Sequence, residues 1–149
     1  MKKIRCAVIG AGYLGKFHVQ KYAQLPDCEL VAVVDADRAT AKAVADVYQV
    51  PALTDYQSLL DTVDAVSIVV PTTLHFPVAK DFLAAGVHVL VEKPMTVTLE
   101  QADELIELAK QKNVVLQVGH LERFNPAVMA LDKDEPPLFI ESHRLSMFN

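Results

Sequence analysis

The stretch from Cys6 to Asp35, CAVIGAGYLGKFHVQKYAQLPDCELVAVVD, limits the fold more than any other part of the chain. An apolar run, Cys6–Ile9, feeds a Gly10-x-Gly12-x-x-Gly15 turn, and the turn opens a helical segment. A second apolar run, Leu30–Val34, ends in Asp35. That acid falls about 20 residues beyond the third glycine, the spacing of a ribose-binding carboxylate. Three glycines alone are an unspecific pattern. A strand before them, a helix after them and an acid at that distance together predict a dinucleotide-binding turn.

Each position has a physical task. Gly10 turns the chain sharply out of the strand, Gly12 lets a pyrophosphate approach the backbone, and Gly15 allows close helix–sheet packing. Tyr13 and Leu14 complete the turn and are candidate cofactor contacts. The helix they open offers unpaired N–H groups and a positive dipole end to phosphates. Asp35 would accept hydrogen bonds from the adenosine ribose and repel a 2′-phosphate, which favours NAD over NADP. The plainer alternative is a glycine-rich turn with Asp35 as a strand-end cap. Arg38, just past the acid, is either a cradle for a 2′-phosphate or a solvated residue of a helix's first turn.

The chain's 149 residues are 52% hydrophobic, enough for one domain with a core and a short appendage. The formal charge of −5 and the absence of any Lys/Arg run argue against a nucleic-acid partner. Cys6 and Cys28 lack a CxxC neighbour and sit in apolar context, so buried free thiols in a reducing cytoplasm are expected, with no metal site. The apolar run after Met1–Arg5 is short and broken by glycine. Neither a signal peptide nor a membrane span is expected.

Strands and helices alternate along the chain, which predicts a Rossmann-type, doubly wound parallel α/β sheet. Strands are expected at Lys3–Ile9, Glu29–Asp35, Leu53–Thr54, Ala65–Val70, Val87–Val91 and Val114–Val118. Helices are expected at Tyr13–Gln24, at Arg38–Tyr48 with Ala41, Val44, Ala45 and Tyr48 on one face, and at Leu74–Ala85 closed by Gly86. Asp55 is placed to cap Tyr56–Asp61. Thr98–Lys112 opens with a capping box, Thr98 and Gln101, and carries an apolar stripe of Ala102, Leu105, Ile106 and Ala109. Beyond Gly119 the pattern changes: a short helix at Asn125–Leu131, a charged turn, then a strand over Leu138–Met147. The expected division is a dinucleotide-binding domain at 1–122 and, at 123–149, a linker helix with the first strand of an incomplete α/β domain.

Three polar clusters follow strand ends and so share the rim where open α/β sheets bind ligands. They are Pro71-Thr72-Thr73-Leu74-His75, Glu92-Lys93-Pro94, and Gly119-His120 through Pro126. Lys93 is the most interesting titratable group among them. Glu92 could pair with it at the surface or serve a ligand. His18 is expected to be packed within the first helix, and His88 to be a satisfied core residue. His143 has no context.

The pieces GAGYLG, VVPTTLH, VEKPM and GHLERFNP resemble the glucose–fructose oxidoreductase / inositol dehydrogenase (Gfo/Idh/MocA) family, of which this chain would be the N-terminal half. The last segment is most similar to the branch acting on UDP-linked amino sugars, the UDP-N-acetylglucosamine 3-dehydrogenase type. The resemblance implies an NAD-dependent oxidoreductase that moves hydride between nicotinamide and a sugar carbon. It implies a nucleotide-sugar or polyol substrate and a homo-oligomer.

By the same resemblance Lys93 is the catalytic proton-transfer group, Glu92 meets the nicotinamide ribose, and Pro71, Thr72 and His75 line the cofactor. His75 could equally be an early helix residue. His120 and Arg123 could meet substrate or tie down the linker helix. Family members are about twice as long and carry a later D-x-x-x-H segment that this sequence lacks. The expectation is therefore a fragment or truncated product without turnover of its own. The alternatives are a non-catalytic NAD(H)-binding module, or a relative acting on inositol or another polyol.

Overall fold

β-Branched and aliphatic runs with no internal charge pair best as strands covered on both faces. Six strands rich in such residues, with Arg5 and Glu29 near the starts of the first two, form one parallel sheet. The computed structural model describes residues 2–130, together with residues 139, 141, 143 and 145. The strands are β1 (Ile4–Ile9), β2 (Cys28–Val34), β3 (Ala52–Leu53), β4 (Ala65–Ile68), β5 (His88–Val91) and β6 (Leu116–Val118), in the order β3-β2-β1-β4-β5-β6. The order reverses between β1 and β4, which opens a crevice at the carboxyl ends of these two strands.

The register aligns those ends. Ile9 stands opposite Val34 and Ile68, Ile68 opposite Val91, and Val91 opposite Val118. The next residue of each strand therefore lies on one rim: Asp35, Gly10, Val69, Glu92 and Gly119. This is how a linear sequence brings the three polar clusters to a common edge.

Helices α1 (Tyr13–Gln24) and α2 (Arg38–Tyr48) cover one face, and α3 (His75–Ala84) and α4 (Leu99–Lys112) the other. The α1/α2 face packs Val19, Val44 and Ala45 on Val8 and Val33. The opposite face packs Phe82, Leu83 and Leu105 on Val66, Ile68, Val89 and Val91. The bounds of α1 and α2 match those read from the sequence. Asp37 caps α2, accepting from Ala39 N at 3.1 Å and Thr40 N at 3.2 Å. These bonds and the Thr40 hydroxyl hold the Asp37 carboxyl below its ordinary range, the hydroxyl contributing most.

Several local expectations change. The segment before α3 is a 3₁₀ turn, Thr72–Leu74, entered from Pro71 in an extended conformation, so α3 starts at His75 rather than Leu74. Tyr56–Asp61 shortens to a 3₁₀ turn at Gln57–Leu59, with Asp55 accepting from Gln57 N at 2.9 Å. The box at α4 is one-sided: Thr98 accepts from Gln101 N, but Gln101 reaches Val97 N rather than Thr98 N. Ile106 lies 39% exposed, on the edge of its stripe rather than in the core. Gly86 takes φ +82° just after α3, as a helix-ending glycine does.

His88 is exposed rather than core, and its Nδ1 accepts from Val115 N at 2.9 Å. Helix α5 spans Pro126–Met129, with Asn125 as its cap. The strand expected over 138–147 lies outside the described residues. Both cysteines are free; burial first, and then neighbouring Cys28, pushes the Cys6 thiol up to about 12, so it stays protonated. Among the described residues no helix is long and apolar enough to cross a membrane.

Candidate active site

The turn after β1 is built around two contacts that exclude side chains. Gly10 has φ +99°, and a Cβ there would lie 2.4 Å from the Val69 carbonyl oxygen. A Cβ on Gly15 would lie 2.0 Å from the Gly10 carbonyl oxygen. Gly12 differs: nothing lies within 4 Å of its would-be Cβ, so its backbone faces open space. Helix α1 starts from Gly12 with no side-chain cap and no acid in its first turn, whereas α2 and α4 are both capped. An uncapped helix start beside an open glycine backbone suits a diphosphate.

Asp35 is folded onto this turn. Its Oδ2 accepts from Ala11 N at 2.8 Å and its Oδ1 from Asp37 N at 3.0 Å. The carboxylate thus braces the glycine loop while lining the hollow next to it. Arg38 is exposed at the start of α2 and lines none of the hollows described below.

Three hollows run in succession along the rim. The first, about 450 Å³, includes Gly10, Gly12, Asp35, Tyr56 and Pro71. The second, about 310 Å³, includes Gly12, Tyr13, Leu14, Pro71, Thr72, His75, Glu92 and Lys93. The third, about 750 Å³, includes Leu14, Phe17, His18, Glu92, Lys93, Gly119, His120 and Arg123. Gly12 and Pro71 are shared by the first two, and Leu14, Glu92 and Lys93 by the last two. The hollows therefore adjoin as one groove from Asp35 past the glycine turn to Lys93.

Side chains take distinct parts along it. Lys93 is exposed at the end of β5, followed by a cis peptide to Pro94. Glu92 is 6% exposed, its Oε1 paired with His18 Nε2 at 3.2 Å and its Oε2 accepting from Lys93 N at 3.2 Å. The carboxylate thus bonds to the Lys93 backbone and to His18. His18 was expected only to pack within α1; the structure instead brings it to the groove wall.

His75 is buried, with Nδ1 2.8 Å from Pro94 O and Nε2 2.9 Å from Val70 O. It ties the end of β4 to the turn after β5. Tyr13 is 80% exposed, edge-on to Phe17 at 5.5 Å. His120 and Arg123 are exposed on the wall opposite α1. A spacing signal for His18 exists: Leu14 and His18 are four apart, on the flank of α1 beside its buried Gly15 and Val19.

The profile described as "Oxidoreductase family, NAD-binding Rossmann fold" (GFO_IDH_MocA) matches residues 4–120. The chain is 43% identical over 150 residues to UDP-N-acetylglucosamine 3-dehydrogenase of Acidithiobacillus ferrooxidans, an alignment covering 99% of this chain and 47% of that protein. A solved structure of that enzyme superposes with a TM-score of 0.81 at 45% identity, over 87% of this chain and 42% of that one. Scyllo-inositol dehydrogenase from Lactobacillus casei, solved with NAD(H) and scyllo-inositol, gives a TM-score of 0.80 at 27% identity, over 86% and 39% of the two chains. The chain spans about half the length of the curated relatives it matches. With its glycine turn, its rim acid and its six-stranded parallel sheet, this chain belongs to the Gfo/Idh/MocA family of NAD-binding oxidoreductases.

Proposed function

We propose that the chain is the cofactor-binding half of an NAD-dependent dehydrogenase that oxidises or reduces a carbon of a nucleotide-linked amino sugar. The observation that carries the reading is the continuous groove from Asp35 to Lys93. A rim carboxylate, Asp35, lies at one end, the side-chain-free Gly12 in the middle and Lys93 at the other. The amino-sugar assignment is supported by the relative of that activity at 43% identity. An inositol-type substrate has support from scyllo-inositol 2-dehydrogenase of Bacillus subtilis at 36%.

A bound nicotinamide dinucleotide supplies the hydride acceptor or donor. The chain's own residues do the rest. The N–H groups at the start of α1 and the backbone of Gly12 would hold the diphosphate. Asp35 would accept from the ribose hydroxyls and disfavour a 2′-phosphate. Pro71 and Thr72 shape the wall beside the nicotinamide end, and His75 holds that wall to the Lys93-Pro94 turn. Lys93 Nζ would take the proton of the substrate hydroxyl on oxidation and return it on reduction, general acid–base work from an exposed strand end. His120 and Arg123, across the third hollow, would meet the sugar or its phosphates.

Residues from 123 onward would enter a second, substrate-bearing unit, and the active form would be a cytoplasmic homo-oligomer. These residues by themselves would bind NAD, and turnover would need the positioning that the second half of the relatives' length supplies.

Calorimetric titration tests the reading. NAD(H) should bind this chain, and more tightly than NADP(H). Tighter NADP(H) binding would promote Arg38 over Asp35, and no dinucleotide binding at all would overturn the assignment.

A further inference from the structure

Glu92 is the only buried carboxylate among the described residues. A buried charge is costly unless well paired, and this one has two partners. His18 Nε2 lies 3.2 Å from Oε1, and Lys93 N donates to Oε2 at 3.2 Å. The side chains of Glu92 and His18 are only 7% and 13% exposed. The third wall is Gly119, where a Cβ would sit 2.7 Å from Oε1. Three elements that are distant in sequence thus leave room for one carboxylate and fix it. The polar groups sharing the third hollow, Lys93, His120, Glu122 and Arg123, are exposed and screened by water.

Glu92 borders both the second and the third hollow, the end of the groove opposite Asp35. On the reading proposed above, on which this inference rests, the nicotinamide ring occupies that end. Its oxidised form carries a positive charge and its reduced form none. A fixed, poorly hydrated negative charge beside the ring favours the oxidised form.

We infer that the His18–Glu92 pair sets the balance of affinity between NAD⁺ and NADH. Glu92 supplies the charge. His18 is a positioning residue that holds the carboxylate in place through the 3.2 Å contact to Oε1. With the ring about 7–12 Å away and an effective dielectric of about 20, the preference would be about 10- to 50-fold.

The test titrates NAD⁺, NADH and ADP-ribose separately into the wild-type chain and into Glu92→Gln, His18→Phe and His18→Gln. Circular dichroism checks each fold. Glu92→Gln should weaken NAD⁺ relative to NADH by about tenfold or more, while ADP-ribose, which keeps the terminal ribose and lacks the charged ring, reports separately any loss of a ribose contact common to all three ligands. His18→Phe should give part of the same shift. His18→Gln, which keeps an N–H donor near Oε1, should restore the wild-type ratio. A role in folding alone would move all three ligands together.

An NAD⁺/NADH ratio that stays fixed in Glu92→Gln, with ADP-ribose still bound, overturns the inference and leaves the dinucleotide reading intact. Should Glu92→Gln fail to fold, an unchanged ratio in His18→Phe overturns it. A wild-type chain that binds none of the three ligands removes both readings.

Discussion

Gly10→Ala and Gly12→Val should part the stability of the glycine turn from its binding. At Gly10 the backbone has φ +99° and an added Cβ would lie 2.4 Å from Val69 O, 2.7 Å from Val69 C and 3.0 Å from Val70 N. An alanine held at positive φ costs about 1–2 kcal/mol. Forcing a methyl against a packed backbone costs about 1–3 kcal/mol more. The sum, about 2–5 kcal/mol, is a large share of the ~5–15 kcal/mol that holds a domain together. At about 2–4 °C per kcal/mol for a chain of this size, the melting temperature should fall by roughly 4–20 °C.

At Gly12 nothing lies within 4 Å of the added carbon. Gly12→Val should therefore stay within about 1 kcal/mol of wild type, the scale of losing a favourable helix-cap residue, and yet lose dinucleotide binding to its branched side chain. Differential scanning calorimetry reads the first quantity and isothermal titration with NADH the second. The reasoning fails if Gly12→Val melts as low as Gly10→Ala. It fails equally if Gly12→Val binds NADH as the wild type does.

Other substitutions probe the remaining parts of the groove. Asp35→Ala should narrow the preference for NAD over NADP by about tenfold or more by calorimetry, the scale of one charge-assisted contact; an unchanged preference would take the ribose away from that carboxylate. Lys93→Met should leave NAD affinity within about threefold. In a chain that also carries the second half of its relatives, it should slow the chemical step by about 10²-fold or more in stopped flow, and full activity there would make the Glu92-Lys93-Pro94 segment purely structural.

Asp64 offers a pH signature. Hydrogen bonds from the Arg5 side chain and backbone lower its carboxyl from 3.8 to about 2 in the folded chain. A lowered folded value stabilises the fold above the unfolded value, and that contribution is lost as pH falls through the folded one. Urea titrations should show wild type and Asp64→Asn separated above about pH 4 and converging toward about pH 2, and a constant separation would contradict the pairing.

The fold was legible in the sequence wherever the pattern was local. The glycine turn marks the start of α1 and the apolar face of Ala41, Val44, Ala45 and Tyr48 marks α2, and both helices have the expected bounds. The strand expected over Ala65–Val70 ends at Ile68, because apolar residues continue past the last ladder pair as Val69 and Val70, and the one expected at Lys3–Ile9 starts a residue later, at Ile4. The polar clusters could be assigned to one rim because strand-end position is enough for that.

What sequence reading missed was pairing at long range. His18 and Glu92 are 74 positions apart, and no periodicity within α1 says which neighbour its flank will meet. His88 was misread for a similar reason. It lies on the face of β5 away from α3 and α4, where Leu90 is also only half-buried, while Val89 and Val91 on the other face are buried. A four-residue apolar strand gives no sign of which side lacks cover.

The Gly10 carbonyl oxygen is also the atom that a side chain on Gly15 would strike, so the two glycines do not fail independently. An alanine at position 10 has to push its own peptide away from Val69, and that movement shifts the oxygen facing Gly15. The cost of a methyl at position 15 thus depends on what stands at position 10, and a double-mutant cycle should return a coupling energy of about 0.5–3 kcal/mol. The turn then behaves as one heritable unit: after the first replacement the second meets an altered obstacle, and the order in which substitutions arrive decides which of them the chain survives.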